Sequence, residues 1–176
     1  MAEARWRPSD HCSPRPDWAI PELIVIHCIS LPEGEYGGDA PGRLFTGTLN
    51  IGEHPTFADL EGVRVSAHLL IHRSGQLDQF VAFNHQAWHA GESSWCGRGN
   101  CNPYSLGIEM EGTVADSYTS EQYECLAKVV RGLMEFYSSL SVDNVVGHND
   151  IAPGRKQDPG PLFDWSRLLT SIGGAT

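Results

Sequence analysis

Residues 22–30 read Glu-Leu-Ile-Val-Ile-His-Cys-Ile-Ser, a dense run of apolar and β-branched side chains. A run of this kind without polar alternation is typical of a strand that is buried on both faces of a sheet. His27 lies in the middle of the run and shares a strand face with Val25 and Ile29. From this position alone, a packed core histidine and a functional histidine are equally good interpretations.

The remaining segments predict one α/β (α+β) domain, a central mixed β-sheet flanked by α-helices, and 176 residues suit a single domain. A glycine turn at Ser74-Gly75 separates two apolar runs and predicts a β-hairpin. A capping box at Thr119 and Gln122 precedes an apolar stripe and predicts the longest helix. The predicted elements are strands over 22–30, 66–73, 76–83, 105–111 and 142–147, a helix over 120–138 and a short helix after Asp164.

Two segments show no periodicity. Residues 1–20 contain Pro8, Pro14 and Pro16, which predicts an irregular N-terminal arm on the surface. Residues 31–57 are rich in glycine and proline. Because a long aperiodic connection inside a compact domain is usually functional, we expect residues 31–57 to form a loop that borders the active site.

The composition excludes several classes of protein. Twelve basic and 22 acidic residues give a net charge of −10, which is unfavourable for attraction to nucleic acid or to an anionic cell wall. No apolar run approaches the about 20 residues of a membrane helix or the about 7 to 15 of a signal-peptide core. Five cysteines, an odd number, favour reduced thiols. We therefore expect a cytoplasmic protein that binds neither nucleic acid nor membrane.

A second cluster of polar residues follows the predicted strand that ends near His148. A proline- and glycine-rich loop after it carries Lys156 and Asp158, and such a stiff loop can hold side chains at fixed distances. Two neutral imidazoles and one carboxylate form a recurring catalytic zinc set, which His27, His148 and Asp158 would supply. The alternative is that His148 caps a strand and Asp158 caps a turn, and spacing alone leaves both open because no short metal motif is present.

A hydrolytic site would also need a proton carrier and a positive charge. Glu109 and Glu111 share one strand face, and either could serve as a general base or simply face solvent. Lys156 could stabilise an oxyanion, or it could be an ordinary surface lysine. His68 and His72 share a strand face as competing ligands but have no rigid third partner nearby.

Six segments together resemble the zinc-dependent N-acetylmuramoyl-L-alanine amidases, and within that family the cytosolic branch that acts on anhydro-muropeptides. The segments follow the family's order and span nearly the whole chain: residues 25–31, 44–48, 64–68, 87–91, 107–112 and 147–161. The resemblance implies one amidase domain over residues 1–176, with the fold of peptidoglycan recognition proteins and lysozyme-type amidases.

The resemblance also implies site residues and one zinc ion. It places the zinc ligands at His27, His148 and Asp158, the catalytic glutamate at Glu109 rather than two residues later, and the oxyanion-stabilising lysine at Lys156. In two places the chain departs from the family. The residue after the first histidine is a cysteine instead of an asparagine, and the loop over 96–101 is less basic. The residues left as candidates for substrate contact are Arg64, Trp88, His89 and Arg98.

The implied reaction is hydrolysis of the amide between the lactyl group of anhydro-N-acetylmuramic acid and L-alanine. The implied setting is cytosolic peptidoglycan recycling by a monomer, with an indirect effect on β-lactamase induction. One alternative is a non-catalytic peptidoglycan-binding module, which the intact set of candidate ligands disfavours. Another is a secreted or phage-encoded wall-lytic amidase, which the net charge of −10 disfavours.

Overall fold

The computed structural model describes residues 4–173, and the elements below are those of that range. The strands, numbered β1 to β10 in chain order, are Arg5–Trp6, Cys12–Pro14, Leu23–Ile29, Leu69–Ile71, Leu77–Gln79, His85–Ala87, Ser94–Trp95, Arg98–Gly99, Ser105–Glu111 and Val145–Gly147. The α-helices, α1 to α4, are Ala40–Phe45, Ser120–Phe136, His148–Ile151 and Trp165–Ser171. Short 3-10 turns cover Ile51–Glu53, Pro55–Leu60, Asn102–Tyr104 and Val142–Asn144.

A six-stranded mixed sheet forms the centre of the fold, with the strand order β1-β5-β4-β9-β3-β10. Strands β4 and β5 are antiparallel and form the predicted hairpin, in which Gly75 adopts a φ of 81°. The other neighbours are parallel. Strands β3 and β9 pair along their full length, and this register sets His27 beside Glu109. The predicted mixed sheet is confirmed.

One face of the sheet forms the main hydrophobic core. Ile24 and Ile26 of β3 and Ile108 of β9 pack there against α2 and α4. Each such side chain contributes about 1.5 to 3 kcal/mol when fully buried. The predicted capping box at the start of α2 is confirmed, because the Thr119 side chain accepts from the Gln122 N–H and the Gln122 side chain accepts from the Thr119 N–H.

The opposite face of the two central strands changes from apolar to polar along its length. Leu23 and Val25 are fully buried at one end. His27, Glu109 and Glu111 follow at the other end and are also buried, with 2%, 9% and 3% exposure. The prediction of a strand buried on both faces is thus confirmed, and neither glutamate lies on a solvated face.

The N-terminal arm is more regular than expected. β1 adds a parallel strand beside β5, and β2 pairs with β6 in a separate two-stranded sheet. Arg5 and Arg7 reach the buried carboxylate of Asp78 at 2.6 and 3.1 Å. The arm over residues 4–20 thus contains two short strands within otherwise irregular backbone, while residues 1–3 lie outside the described range.

The segment over 31–57 also contains regular structure, namely α1, the 3-10 turn at Ile51–Glu53 and the start of the one at Pro55–Leu60. Leu44 and Phe45 of α1 belong to a small hydrophobic cluster with Leu70 and Phe80. This contact fixes the segment against the sheet. Within residues 4–173, no helix has the length and apolar content needed to cross a membrane.

Candidate active site

A cavity of about 520 Å³ opens at the carboxyl ends of β3 and β9. It is lined by all five residues to which the sequence analysis gives a metal-binding or catalytic role, and the segment over 31–57 contributes Leu31, Glu33, Leu44, Phe45 and Thr56 to its wall. The five sequence-predicted residues are His27, Glu109, His148, Lys156 and Asp158.

Two histidines and one aspartate converge inside this cavity. The Nδ1 atoms of His27 and His148 lie 2.9 Å apart. Asp158 Oδ2 lies 3.2 Å from His27 Nδ1 and 3.0 Å from His148 Nδ1. The three residues form a group whose ligand atoms could hold one metal ion. Residues far apart in the chain therefore supply one compact donor set.

Three elements bring these donors together. His27 belongs to β3, and His148 follows β10, whose Gly147 pairs with Ile26 of β3. Because the two strands are parallel neighbours, their carboxyl ends deliver both histidines to the same edge of the sheet. The loop that carries Asp158 is attached to α3 by a 3.0 Å hydrogen bond from the Asn149 N–H to the Asp158 carbonyl.

Hydrogen bonds and burial both act on the protonation of the donor atoms. His148 Nε2 lies 3.1 Å from the Ala90 carbonyl, which can only accept, so we assign a proton to Nε2, and Nδ1 is the atom that a metal would bind. Burial lowers the pKa of His27 to about 4, which keeps its imidazole neutral. Burial opposes ionisation of Asp158, but the hydrogen bonds with His148 and His27 outweigh it and lower its pKa.

Such a set suits a divalent cation. Two lone pairs and a carboxylate oxygen at these distances repel one another unless a proton or a metal ion lies between them. Two neutral imidazoles with one carboxylate are a donor combination typical of catalytic zinc, with a position left for another ligand. The residues present therefore fit the zinc ion that the sequence predicts.

The two candidate glutamates have different surroundings. Glu111 accepts hydrogen bonds from the backbone N–H groups of Gly37 and Arg73 at 2.6 and 2.8 Å, so its carboxylate is committed to holding two loops. Glu109 lines the cavity, and its buried Oε2 has no hydrogen-bond partner among the described residues. Burial and then the charge of Asp158 raise the pKa of Glu109 well above its ordinary value, while Lys156 opposes the shift.

The residues considered for substrate contact are divided between the cavity and its surroundings. Trp88 lines the cavity, and the Arg64 guanidinium lies 5.3 Å from the centroid of its ring. His89 also lines the cavity, and Lys156 does so from an exposed position. Arg98 is not brought to this cavity, because its guanidinium pairs with Glu22 at 3.0 Å and packs on aromatic rings outside it.

The competing histidine pair does not converge. His68 Nε2 lies near the His85 carbonyl at 3.0 Å and the Arg15 guanidinium at 3.1 Å. His72 Nε2 instead contacts Asp78 at 3.1 Å. Both histidines thus have structural partners, and the interpretation of them as a shared metal site is wrong.

One set of contacts was not predicted from the sequence. His89 Nδ1 lies 2.9 Å from His27 Nε2, and the Ala90 carbonyl contacts His148. The segment Trp-His-Ala-Gly at 88–91 indicated a cavity wall but gave no sign of contact with both histidines. A backbone carbonyl leaves no signature in a sequence, so no pattern could have identified the contact made by Ala90.

Residues 17–161 match the family model described as N-acetylmuramoyl-L-alanine amidase. The chain belongs to this amidase family. It is 52% identical over 172 residues to the 1,6-anhydro-N-acetylmuramyl-L-alanine amidase AmpD of Salmonella typhimurium (strain SL1344). The aligned region covers 98% of this chain and 91% of that protein. The predicted family is thereby confirmed.

Solved structures of amidases share the fold. The crystal structure of a selenomethionine AmpD derivative matches with a TM-score of 0.95 and 50% identity, over 98% of this chain and 96% of that one. AMPDH3 from Pseudomonas aeruginosa, in complex with anhydromuramic pentapeptide, matches with a TM-score of 0.65 and 29% identity, over 88% of this chain and 61% of that one. The predicted single-domain amidase fold is confirmed.

Proposed function

We propose that this amidase hydrolyses the amide bond between the lactyl group of anhydro-N-acetylmuramic acid and L-alanine in small muropeptides. The observation that carries the proposal is the convergence of His27, His148 and Asp158 in one cavity with the Glu109 carboxylate, whose buried Oε2 has no hydrogen-bond partner among the described residues. The names of the related AmpD proteins support the substrate class. The proposed setting is peptidoglycan recycling in the cytoplasm by a monomer with one zinc ion.

The metal is assigned to His27, His148 and Asp158. When bound there, zinc would supply Lewis-acid chemistry, which polarises an amide carbonyl and makes water more acidic. The three side chains contribute two neutral donors and one negative charge, so a divalent ion would retain a net charge of about +1. Burial of both imidazoles limits competition from solvent for the donor atoms.

Glu109 is assigned the proton transfers. Its unpaired Oε2 would take a proton from the water that attacks the lactyl carbonyl carbon, as the new C–O bond forms. The same atom would then return the proton to the alanine nitrogen, as the C–N bond breaks. A raised pKa suits a carboxylate that must both accept and donate a proton near neutral pH.

Lys156 and the cavity wall are assigned to charge stabilisation and binding. The Lys156 ammonium would stabilise the negative oxygen that develops on the carbonyl during attack. Trp88 and His89 line the cavity where the sugar or peptide would bind, and the Arg64 guanidinium suits a carboxylate of the stem peptide. Arg98 stays a prediction for such a carboxylate, from a position outside the cavity.

Mass spectrometry of an anhydromuramoyl-tripeptide incubated with the protein tests the proposal. We expect release of free tripeptide, its suppression by a chelator and its return when zinc is added. Intact substrate in every sample would contradict the proposed bond. A turbidity assay on whole sacculi separates the recycling enzyme from a wall-lytic one, since only the lytic enzyme would clear the suspension.

A further inference from the structure

A single short segment contacts both candidate metal-binding histidines on the ring atoms that face away from the metal. His89 Nδ1 lies 2.9 Å from His27 Nε2, and the Ala90 carbonyl oxygen lies 3.1 Å from His148 Nε2. We propose that His89 and Ala90 form a positioning element that fixes the tautomer and orientation of both metal ligands. The inference rests on the proposed function and adds a role for His89 that a cavity-wall residue would not have.

The tautomer of His27 depends on His89. If Nδ1 of His27 binds the metal, its lone pair is required there and its proton must lie on Nε2. That N–H needs an acceptor, and the atom in reach is Nδ1 of His89. His89 must then carry its own proton on Nε2, which lies 3.0 Å from the hydroxyl oxygen of Ser105. The Ser105 hydroxyl can accept that proton, so it supports the His89 tautomer in which Nδ1 accepts from the His27 Nε2–H.

The orientation of His148 depends on the next residue. Its Nε2–H donates to the Ala90 carbonyl, which leaves Nδ1 free to face Asp158. The same carbonyl accepts a hydrogen bond of 2.7 Å from Arg155 Nη2. Outer contacts of this kind raise the basicity of a ligating imidazole and hold its ring in place.

The segment is itself held in place by its surroundings. Asn102 Oδ1 accepts from the backbone N–H groups of His89 and Ala90 at 3.1 and 2.9 Å. The His89 ring packs over Gly107 of β9, where a Cβ atom would lie only 2.5 Å from His89 Cγ. This close approach shows that the ring is seated against the sheet, and a positioning element requires such rigidity.

Paired substitutions of His89 with similar shapes test the proposal. Asparagine retains an acceptor oxygen near the place of Nδ1, whereas leucine has the same branched shape without any acceptor. We expect His89→Leu to weaken zinc binding by about 10- to 100-fold in a competition titration with a chromophoric chelator. We expect His89→Asn to retain an affinity within about 3-fold of the wild type. The visible spectrum of the cobalt-substituted protein should shift in the leucine variant and be largely restored by asparagine.

Ser105→Ala provides a second test that leaves His89 present. It removes the acceptor for His89 Nε2–H, so we expect a smaller loss of zinc affinity, about 3- to 10-fold. Adding Ser105→Ala to His89→Leu should cause no further loss of zinc affinity, because leucine has already removed the hydrogen bonds that link Ser105 to His27. Ser171→Ala, at an exposed serine of α4, is the matched control and should bind zinc like the wild type.

The outcomes separate this proposal from the proposed function. Equal zinc affinity in all variants would overturn the positioning role, and so would equal loss in His89→Leu and His89→Asn, which would indicate packing alone. Because zinc is titrated without substrate, the predicted pattern can hold even if no muropeptide is cleaved, in which case only the proposed function fails. Cleavage by the wild type combined with unaltered affinity in the variants would refute the positioning role alone.

Discussion

At the scale of single residues, substitutions of Asp158 and of Glu109 are expected to affect metal binding and catalytic rate differently. Asp158→Ala removes the one charged donor of the set, so metal and activity should be lost together. Glu109→Gln leaves the donors intact and removes only the proton acceptor, so zinc should be retained while kcat falls by about 10²- to 10⁴-fold. Metal content by mass spectrometry, measured beside the rate of tripeptide release, distinguishes the two variants.

Glu124→Gln is the matched control for this comparison. Glu124 is exposed on α2, which packs against the sheet face that does not carry the site, and its substitution should leave metal and rate unchanged. The assignments would be wrong if Asp158→Ala and Glu109→Gln lost metal to the same extent.

The His89 ring leaves no room for a side chain at position 107, which is occupied by Gly107. A methyl group there would meet the His89 ring at 2.5 Å, so Gly107→Ala should lower the free energy of unfolding by about 1 to 3 kcal/mol and weaken zinc binding. Gly132→Ala on α2 is the control, because nothing lies within 4 Å of its Cβ position. That change should raise stability by about 0.5 to 1 kcal/mol through helix propensity. Urea unfolding of both variants measures the contrast.

At the scale of elements, Asp78 couples stability to pH through the attachment of β1 to β5. Burial alone would raise the pKa of Asp78, but hydrogen bonds from Arg5, His72 and Arg7 lower it to about 2. Because this pKa is lower in the folded than in the unfolded protein, ionised Asp78 stabilises the fold. The contribution is present above the unfolded-state pKa of about 4 and is lost as the pH falls toward 2. The full contribution is about 2 kcal/mol.

Asp78→Asn tests this coupling. The variant should be about 2 kcal/mol less stable than the wild type at pH 7, and the difference should shrink by about 1 kcal/mol at pH 3. Denaturant unfolding at the two pH values measures it. A stability difference that stays constant between pH 7 and pH 3 would count against the ion-pair explanation and favour a packing defect.

Sequence patterns predicted some of the secondary-structure elements and missed others. β3, β9 and α2 were predictable because their apolar periodicity and the capping box at Thr119 are strong local signals. β1 and β2 were not, since two or three residues carry no periodicity and their pairing depends on distant partners. The residue types of the site were suggested by chemistry and by the resemblance. The surroundings that distinguish Glu109 from Glu111 came only with the packed structure.

At the scale of the whole molecule, metal binding should stabilise the fold as a unit. The donors come from β3, α3 and the loop after it, so an ion held by all three opposes their separation. Free zinc at 100 times its Kd should add about 2.7 kcal/mol, which corresponds to a rise in Tm of about 5 to 10 °C. Differential scanning calorimetry with zinc or chelator measures the shift, and a similar zinc-dependent shift in Asp158→Ala would contradict the assigned ligands.

The spacing of the donors along the chain has a consequence for biosynthesis. His27 and Asp158 are 131 positions apart, and β10, which delivers His148, is the last strand of the sheet to emerge during translation. A nascent chain that has only β3 and β9 carries one of the three assigned ligands, so we expect it to bind a metal ion weakly. We therefore expect the assigned ligand set to be complete only in a nearly finished domain, once the chain extends past Asp158.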